Sequence, residues 1–134
     1  MTLGPVLIIE DDSDLALSLR DTIRGLGYGA VCASNGHEAL AKLRHLTPSF
    51  LLVDVFMPVM GGIEFLHIVR EDPRLSTIPK AIITAANDQM IGVKEDVSVL
   101  QKPVDIGVLA EVLKQHCAKA LPQAASAKRE KVEM

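Results

Sequence analysis

The sequence predicts an α/β fold: a parallel sheet inside a three-layer sandwich, with helices on both faces. Two observations carry this. Five short apolar runs alternate with longer amphipathic stretches along the 134 residues. The runs are continuously apolar rather than alternating, which suits strands buried on both faces, as in a parallel sheet. Strands that alternate with helices then imply right-handed crossovers.

The first run, Val6 to Ile9, ends in Glu10-Asp11-Asp12. Leu15, Leu19 and Ile23 recur on one helical face until Gly25 and Gly27 stop it. Ala30 to Ala33 reads as the second strand, with Cys32 a buried strand residue. Ala39, Leu40 and Leu43 follow Gly36 as the second helix and end before Pro48. Phe50 to Val53 is the third strand, with Asp54 at its end. Ile63, Leu66 and Val69 mark a third helix before Pro73. Ala81 to Ile83 is the fourth strand and runs into Thr84. The segment from Asn87 to Asp96 contains Gly92 and has room for only about two helical turns. Val97 to Leu100 is the fifth strand, followed by Gln101-Lys102. Leu109, Val112, Leu113 and His116 share one face of the last helix, which predicts that His116 is packed. After Leu121 the apolar face is lost, so one domain is expected over 5–121, with 122–134 a disordered tail or linker.

Composition narrows the function classes. Apolar residues make up 49% but aromatics only 3%, so the core must be aliphatic. A formal net charge of −3 argues against direct nucleic-acid binding, which needs clustered Lys and Arg. Cys32 and Cys117 form no CxxC, which excludes a zinc ribbon or disulfide scaffold and suits a reducing cytoplasm. No stretch approaches the ~18 apolar residues of a membrane span. The first apolar run is too short for a signal peptide and enters acids at once. A cytoplasmic chain without membrane insertion is expected.

The polar residues at the strand ends carry the chemistry. Glu10, Asp11 and Asp12 end the first run, Asp54 the third, Thr84 the fourth and Lys102 the fifth. In an open parallel sheet these ends share one edge, where ligands bind. Taken singly, Asp12 or Ser13 caps a helix, Asp54 sits in a turn before Pro58, Thr84 is structural and Lys102 is solvated. One cap needs one side chain, however, and four acids fall between Glu10 and Asp14. Like charges at that density call for a cation or protons. Clustered carboxylates favour a hard divalent cation such as Mg²⁺. A carboxylate beside it can attack phosphorus to give an aspartyl phosphate, and a lysine and a hydroxyl can bind the phosphoryl oxygens. His37, His45 and His67 show no metal-ligand spacing and read as surface residues; Met57 and Met60 read as packing around the Pro58 loop.

The segments Val6-Leu7-Ile8-Ile9-Glu10-Asp11-Asp12, Leu52-Val53-Asp54-Val55-Phe56-Met57-Pro58 with Gly62, Ile82-Ile83-Thr84-Ala85 and Leu100-Gln101-Lys102-Pro103 together resemble the response-regulator receiver domains of bacterial two-component signalling. The resemblance runs from about Pro5 to Leu121. It implies a flavodoxin-like sandwich with strand order 2-1-3-4-5 and, in this chain, a short fourth helix. It implies that Asp54 is the phospho-acceptor, that Glu10, Asp11, Asp54 and the backbone carbonyl of Phe56 hold Mg²⁺, and that Asp12 shares that role if the first strand ends one residue later. It implies that Thr84 is the switch hydroxyl, that Ala85 leaves the approach open, and that Lys102 binds the phosphoryl group beside a cis bond to Pro103. The implied donor is a phosphohistidine of a sensor histidine kinase or a phosphotransfer protein, the implied output a change in binding to a downstream protein. The domain would then be a regulatory switch with at most self-phosphorylation and self-dephosphorylation activity. The chain departs from the family pattern at Val99, where an aromatic is usual, at Gly61, where Asp is common, and in a Thr84-to-Lys102 interval about one helical turn short.

Two other readings compete. A Mg²⁺-dependent hydrolase of the haloacid-dehalogenase type needs Asp-x-Asp after the first strand, a form that Asp12-Ser13-Asp14 has. A phosphorylation-independent adaptor would not need Asp11, Asp54, Thr84 and Lys102 together.

Overall fold

The computed structural model describes residues 4–55, 57, 59–85 and 97–117. Five strands alternate with helices: β1 Val6–Ile9, α1 Ser13–Gly25, β2 Ala30–Ala33, α2 Gly36–Leu43, β3 Phe50–Asp54, α3 Gly62–Arg70, β4 Lys80–Thr84, β5 Ser98–Gln101 and α4 Ile106–Cys117. The strands form one sheet in the order β2-β1-β3-β4-β5, and every pairing is parallel. This is the predicted flavodoxin-like order. The expected short helix within 87–96 and the expected tail at 122–134 lie outside the described residues.

Strands β1, β3 and β4 are buried along their whole length, as their continuous apolar character requires. Successive side chains point to opposite faces, so the sheet divides the core in two. Leu7, Ile9, Leu51, Val53 and Ile82 join Phe65 and Val69 of α3 and Leu43 of α2. Val6, Ile8, Phe50, Leu52 and Ile83 join Leu19 and Ile23 of α1 and Leu109 and Leu113 of α4.

Local chemistry sets the helix ends. Asp12 caps α1: its Oδ1 accepts the backbone N–H groups of Asp14 at 3.0 Å and Leu15 at 3.2 Å. Gly27 takes φ 103° just past α1, a left-handed turn that glycine adopts without steric cost. Asn35 caps α2 through the Glu38 N–H at 2.8 Å, while the Glu38 carboxylate reaches back to the Ser34 N–H at 2.6 Å and hydroxyl at 2.7 Å. Those two Ser34 donors hold the Glu38 carboxyl below its ordinary range. Gly62 opens α3 where its backbone lies against Asp54; a Cβ there would come within 2.1 Å of the Asp54 carbonyl oxygen.

Three expectations need correction. Cys32 is half-buried rather than buried, because β2 is an edge strand with one flank uncovered; its thiol donates to the Ala16 carbonyl at 3.6 Å. His116 is exposed in the last turn of α4, although its ring centroid lies 6.0 Å from that of Phe50. The fifth strand begins at Ser98, the partner of Ala81, so Val97 is buried but outside the ladder. Among the described residues no helix is long and apolar enough to cross a membrane.

Candidate functional site

Each polar residue at the sheet edge is delivered by a strand whose apolar part is locked in the core. Glu10 follows β1, and its N–H continues the ladder to the Ala33 carbonyl at 3.0 Å. Asp54 is the last residue of β3 and Thr84 the last of β4. Lys102 follows β5, and its N–H donates to the Thr84 carbonyl at 2.8 Å. The bond from Lys102 to Pro103 is cis.

The side chains converge. One carboxylate oxygen from each of Glu10, Asp11 and Asp54 lies within 4.8 Å of the others. Lys102 Nζ stands 3.5 Å from Asp54 Oδ2 and 3.8 Å from Glu10 Oε1. Glu10 is 2% exposed and Asp54 3%, while Asp11 faces solvent. Thr84 is buried, and its hydroxyl lies 3.4 Å from the Ala85 carbonyl; Ala85 is exposed at the rim. Asp12 is not in the carboxylate group, because its side chain is committed to the α1 cap. Asp14 lies exposed in the first turn of α1, away from the cluster, so Asp12-Ser13-Asp14 does not form the paired acids a dehalogenase-type hydrolase needs. Phe56, whose carbonyl is an expected metal ligand, lies outside the described residues.

This carboxylate group fits a hard divalent cation. Glu10 Oε2 accepts the Asp12 N–H at 3.1 Å, but the buried Oε1 accepts no hydrogen bond among the described residues. Two nearly buried carboxylates share one ammonium, and an oxygen-loving cation would complete the balance. Burial raises the Glu10 carboxyl to about 7, with Asp54 beside it adding to the rise and the Asp12 N–H and Lys102 opposing it.

A pH dependence follows. Between the ordinary glutamate value near 4.5 and about 7, folded Glu10 keeps a proton that the unfolded chain has lost. Stability should therefore fall as pH rises through that window, by roughly 2–3 kcal/mol. Urea unfolding in chelator at pH 5 and pH 7.5 checks this. Glu10→Gln should lose most of the slope, and an equal slope in both proteins would refute the assignment.

The loop after Asp54 holds a feature with no sequence signal. Val59 has φ 73° and is 75% exposed. A β-branched residue is strained there, by about 1–2 kcal/mol. Half-buried Met57 and buried Met60 pack against the core on either side of it. Nor does any motif announce that Met60 packs against Gly36 at the start of α2.

Comparison with known proteins places this geometry. Residues 6–114 match the response regulator receiver domain family. The chain is 33% identical over 123 residues to an uncharacterized 14.6 kDa protein from Leptolyngbya boryana, covering 89% of this chain and 94% of that one. It is 34% identical over 83 residues to the DNA-binding response regulator MtrA of Mycolicibacterium paratuberculosis, covering 62% of this chain but only 36% of MtrA. A crystal structure from Chloroflexus aurantiacus, described as a response regulator, superposes with a TM-score of 0.80 at 30% identity, over 87% of this chain and 99% of that one.

Proposed function

This chain belongs to the response regulator receiver family of two-component signalling, and from that premise we propose that Asp54 is its phosphoryl acceptor. Receiver domains are regulatory phospho-acceptors rather than turnover enzymes. The observation that carries the reading is the position of Asp54: buried at the end of β3, with Glu10 and Asp11 in reach on one side and Lys102 Nζ at 3.5 Å.

The donor is a phosphohistidine of a sensor histidine kinase or a phosphotransfer protein. A carboxylate oxygen of Asp54 attacks phosphorus, the N–P bond breaks, and its electron pair leaves with the imidazole nitrogen, which takes up a proton. Lys102, freed from its ion pair with Asp54 as that carboxylate becomes an acyl phosphate, binds a phosphoryl oxygen. The Thr84 hydroxyl donates to another, and Ala85 presents no side chain large enough to obstruct the approach. Glu10, Asp11 and Asp54, with the Phe56 carbonyl, are the residues that would hold Mg²⁺, which when bound offsets charge on the phosphoryl oxygens. Slow attack of water on the acyl phosphate resets the switch. The altered Thr84 and Lys102 contacts change how the domain binds a downstream protein. The receiver spans 5–121, and the protein acts in the cytoplasm.

Incubation with acetyl phosphate, with and without Mg²⁺, followed by intact-mass measurement tests this. One phosphoryl adduct per chain, dependent on Mg²⁺, is expected. An unmodified chain in the presence of Mg²⁺ would refute the reading.

A further inference from the structure

The turn between β2 and α2 contributes no group to the acceptor chemistry, yet it grips both sides of the site. On one side, the Ala33 carbonyl accepts the Glu10 N–H at 3.0 Å. On the other, the Gly36 N–H donates to the Met60 carbonyl at 3.4 Å. The turn is stiffened by the Asn35 cap and by the two Ser34 hydrogen bonds to Glu38.

The contact between Gly36 and Met60 has no slack. A Cβ on Gly36 would lie 2.6 Å from Met60 Sδ, 2.7 Å from its Cγ and 3.0 Å from its Cβ. A methionine side chain usually swings aside, but Met60 is only 5% exposed and belongs to the cluster beneath α2 and α3. Two residues on, the Gly62 N–H donates to the Val55 carbonyl at 2.9 Å, and its Cα abuts the Asp54 carbonyl. A path thus runs from Gly36 to the Met60 side chain by close contact, along the backbone through Gly61 to Gly62, and from Gly62 to Asp54 by close approach. The same turn holds Glu10 by the backbone.

We propose that Gly36 is a positioning residue for phosphorylation, acting through Met60 to set the distance between Asp54 and the acids that follow β1. The proposal rests on the reading of Asp54 as the acceptor. It adds a helix that supplies no ligand and no proton to the parts that set the rate. Displacement of a reacting group by about 1 Å can cost 10²-fold in rate, so a forced shift of Met60 is read directly in the chemistry.

The test is a double-mutant cycle on the full chain, with labelling by acetyl phosphate at saturating Mg²⁺ followed by intact mass and with folding checked by circular dichroism. Gly36→Ala is expected to slow labelling at least tenfold. Met60→Ala, which loosens the contact without adding an atom, is expected to slow it about threefold. Gly36→Ala in the Met60→Ala background should cost little more, because the Sδ and Cγ clashes are gone and only the 3.0 Å approach to the remaining Cβ persists. Gly36→Ala that lowers the melting temperature but labels as fast as the unchanged chain would overturn the proposal, as would a tenfold loss that persists in the double variant. Should Gly36→Ala fail to fold, Met60→Ala decides alone: labelling at the unchanged rate overturns the proposal. An unchanged chain that takes no phosphoryl group would instead refute the acceptor reading, so the two failures are distinguishable.

Discussion

Asp54→Asn should take up no phosphoryl group from acetyl phosphate under conditions that label the unchanged chain to one adduct. The substitution keeps the size and planar shape of the side chain but replaces the nucleophilic carboxylate with an amide. The loss should be complete rather than partial. The other acids in reach are placed for different work: Glu10 is turned under the Asp12 N–H, and Asp11 lies out in solvent. The fold should survive, and it should gain stability near neutral pH. Asp54 is one of the causes that raise the Glu10 carboxyl, and removing its charge lets Glu10 ionise at lower cost. Intact mass reads the adduct and thermal unfolding reads the fold. A fully labelled asparagine variant, with the phosphoryl group mapped to another residue, would move the acceptor elsewhere.

The second large effect is structural. Gly62→Ala should destabilise the domain by about 3 kcal/mol, a fall of roughly 10 °C in melting temperature. The added methyl carbon would lie 2.1 Å from the Asp54 carbonyl oxygen, 2.9 Å from its carbonyl carbon and 3.0 Å from Val53 Cγ1. Two of these are backbone atoms of the central strand, paired to β1 and β4 on either side, and cannot yield cheaply. Relief requires α3 to back away from the sheet, which strips Phe65 and Leu66 of their packing. Gly61→Ala is the control, since a Cβ there meets nothing closer than the Val55 carbonyl at 3.4 Å. Equal stability of the two variants would show that the close approach is not what the glycine serves.

Much of this was legible in the chain. Strands β1, β3 and β4 announce themselves because both their faces are buried, so each is a run of consecutive apolar residues leading to the sheet edge. For the same reason the acid that ends the apolar run of β1 and of β3 stands out: a carboxylate directly behind four apolar residues has nowhere to go but the rim. The misreadings share a cause in partial cover. Cys32 was expected to be buried because β2 looks like its neighbours, but the sheet order makes it an edge. His116 falls on the face marked by Leu109 and Leu113, yet the last turn of α4 leaves it exposed. Lys80 opens β4 as a buried lysine whose ammonium donates to the Ser76 carbonyl at 3.3 Å, a partner created by the turn before the strand and not by any pattern within it. Val59 inverts backbone preference altogether. The Gly36–Met60 contact joins residues distant in sequence, and only packing brings them together.

The division of the core into two apolar layers has a consequence for how the chain finds its alignment. Sliding β1 by one residue would exchange Val6 and Ile8 with Leu7 and Ile9 between the layers. Each side chain would still be aliphatic, of similar size and in oil. Hydrophobic patterning normally penalises such a slip by exposing the core face, but here it is nearly blind to it. What breaks the degeneracy is the acid that follows. A slip in one direction draws the Glu10 carboxylate from the rim to a place deeper in the sheet, where it meets only apolar neighbours; a slip in the other carries Ile9 out to the charged rim. Asp54, already the last rung of β3 opposite Ile83, marks the end of that strand: a slip that drew it deeper would leave its carboxylate among apolar side chains. The acids gathered at the sheet edge therefore also act as alignment marks for the sheet.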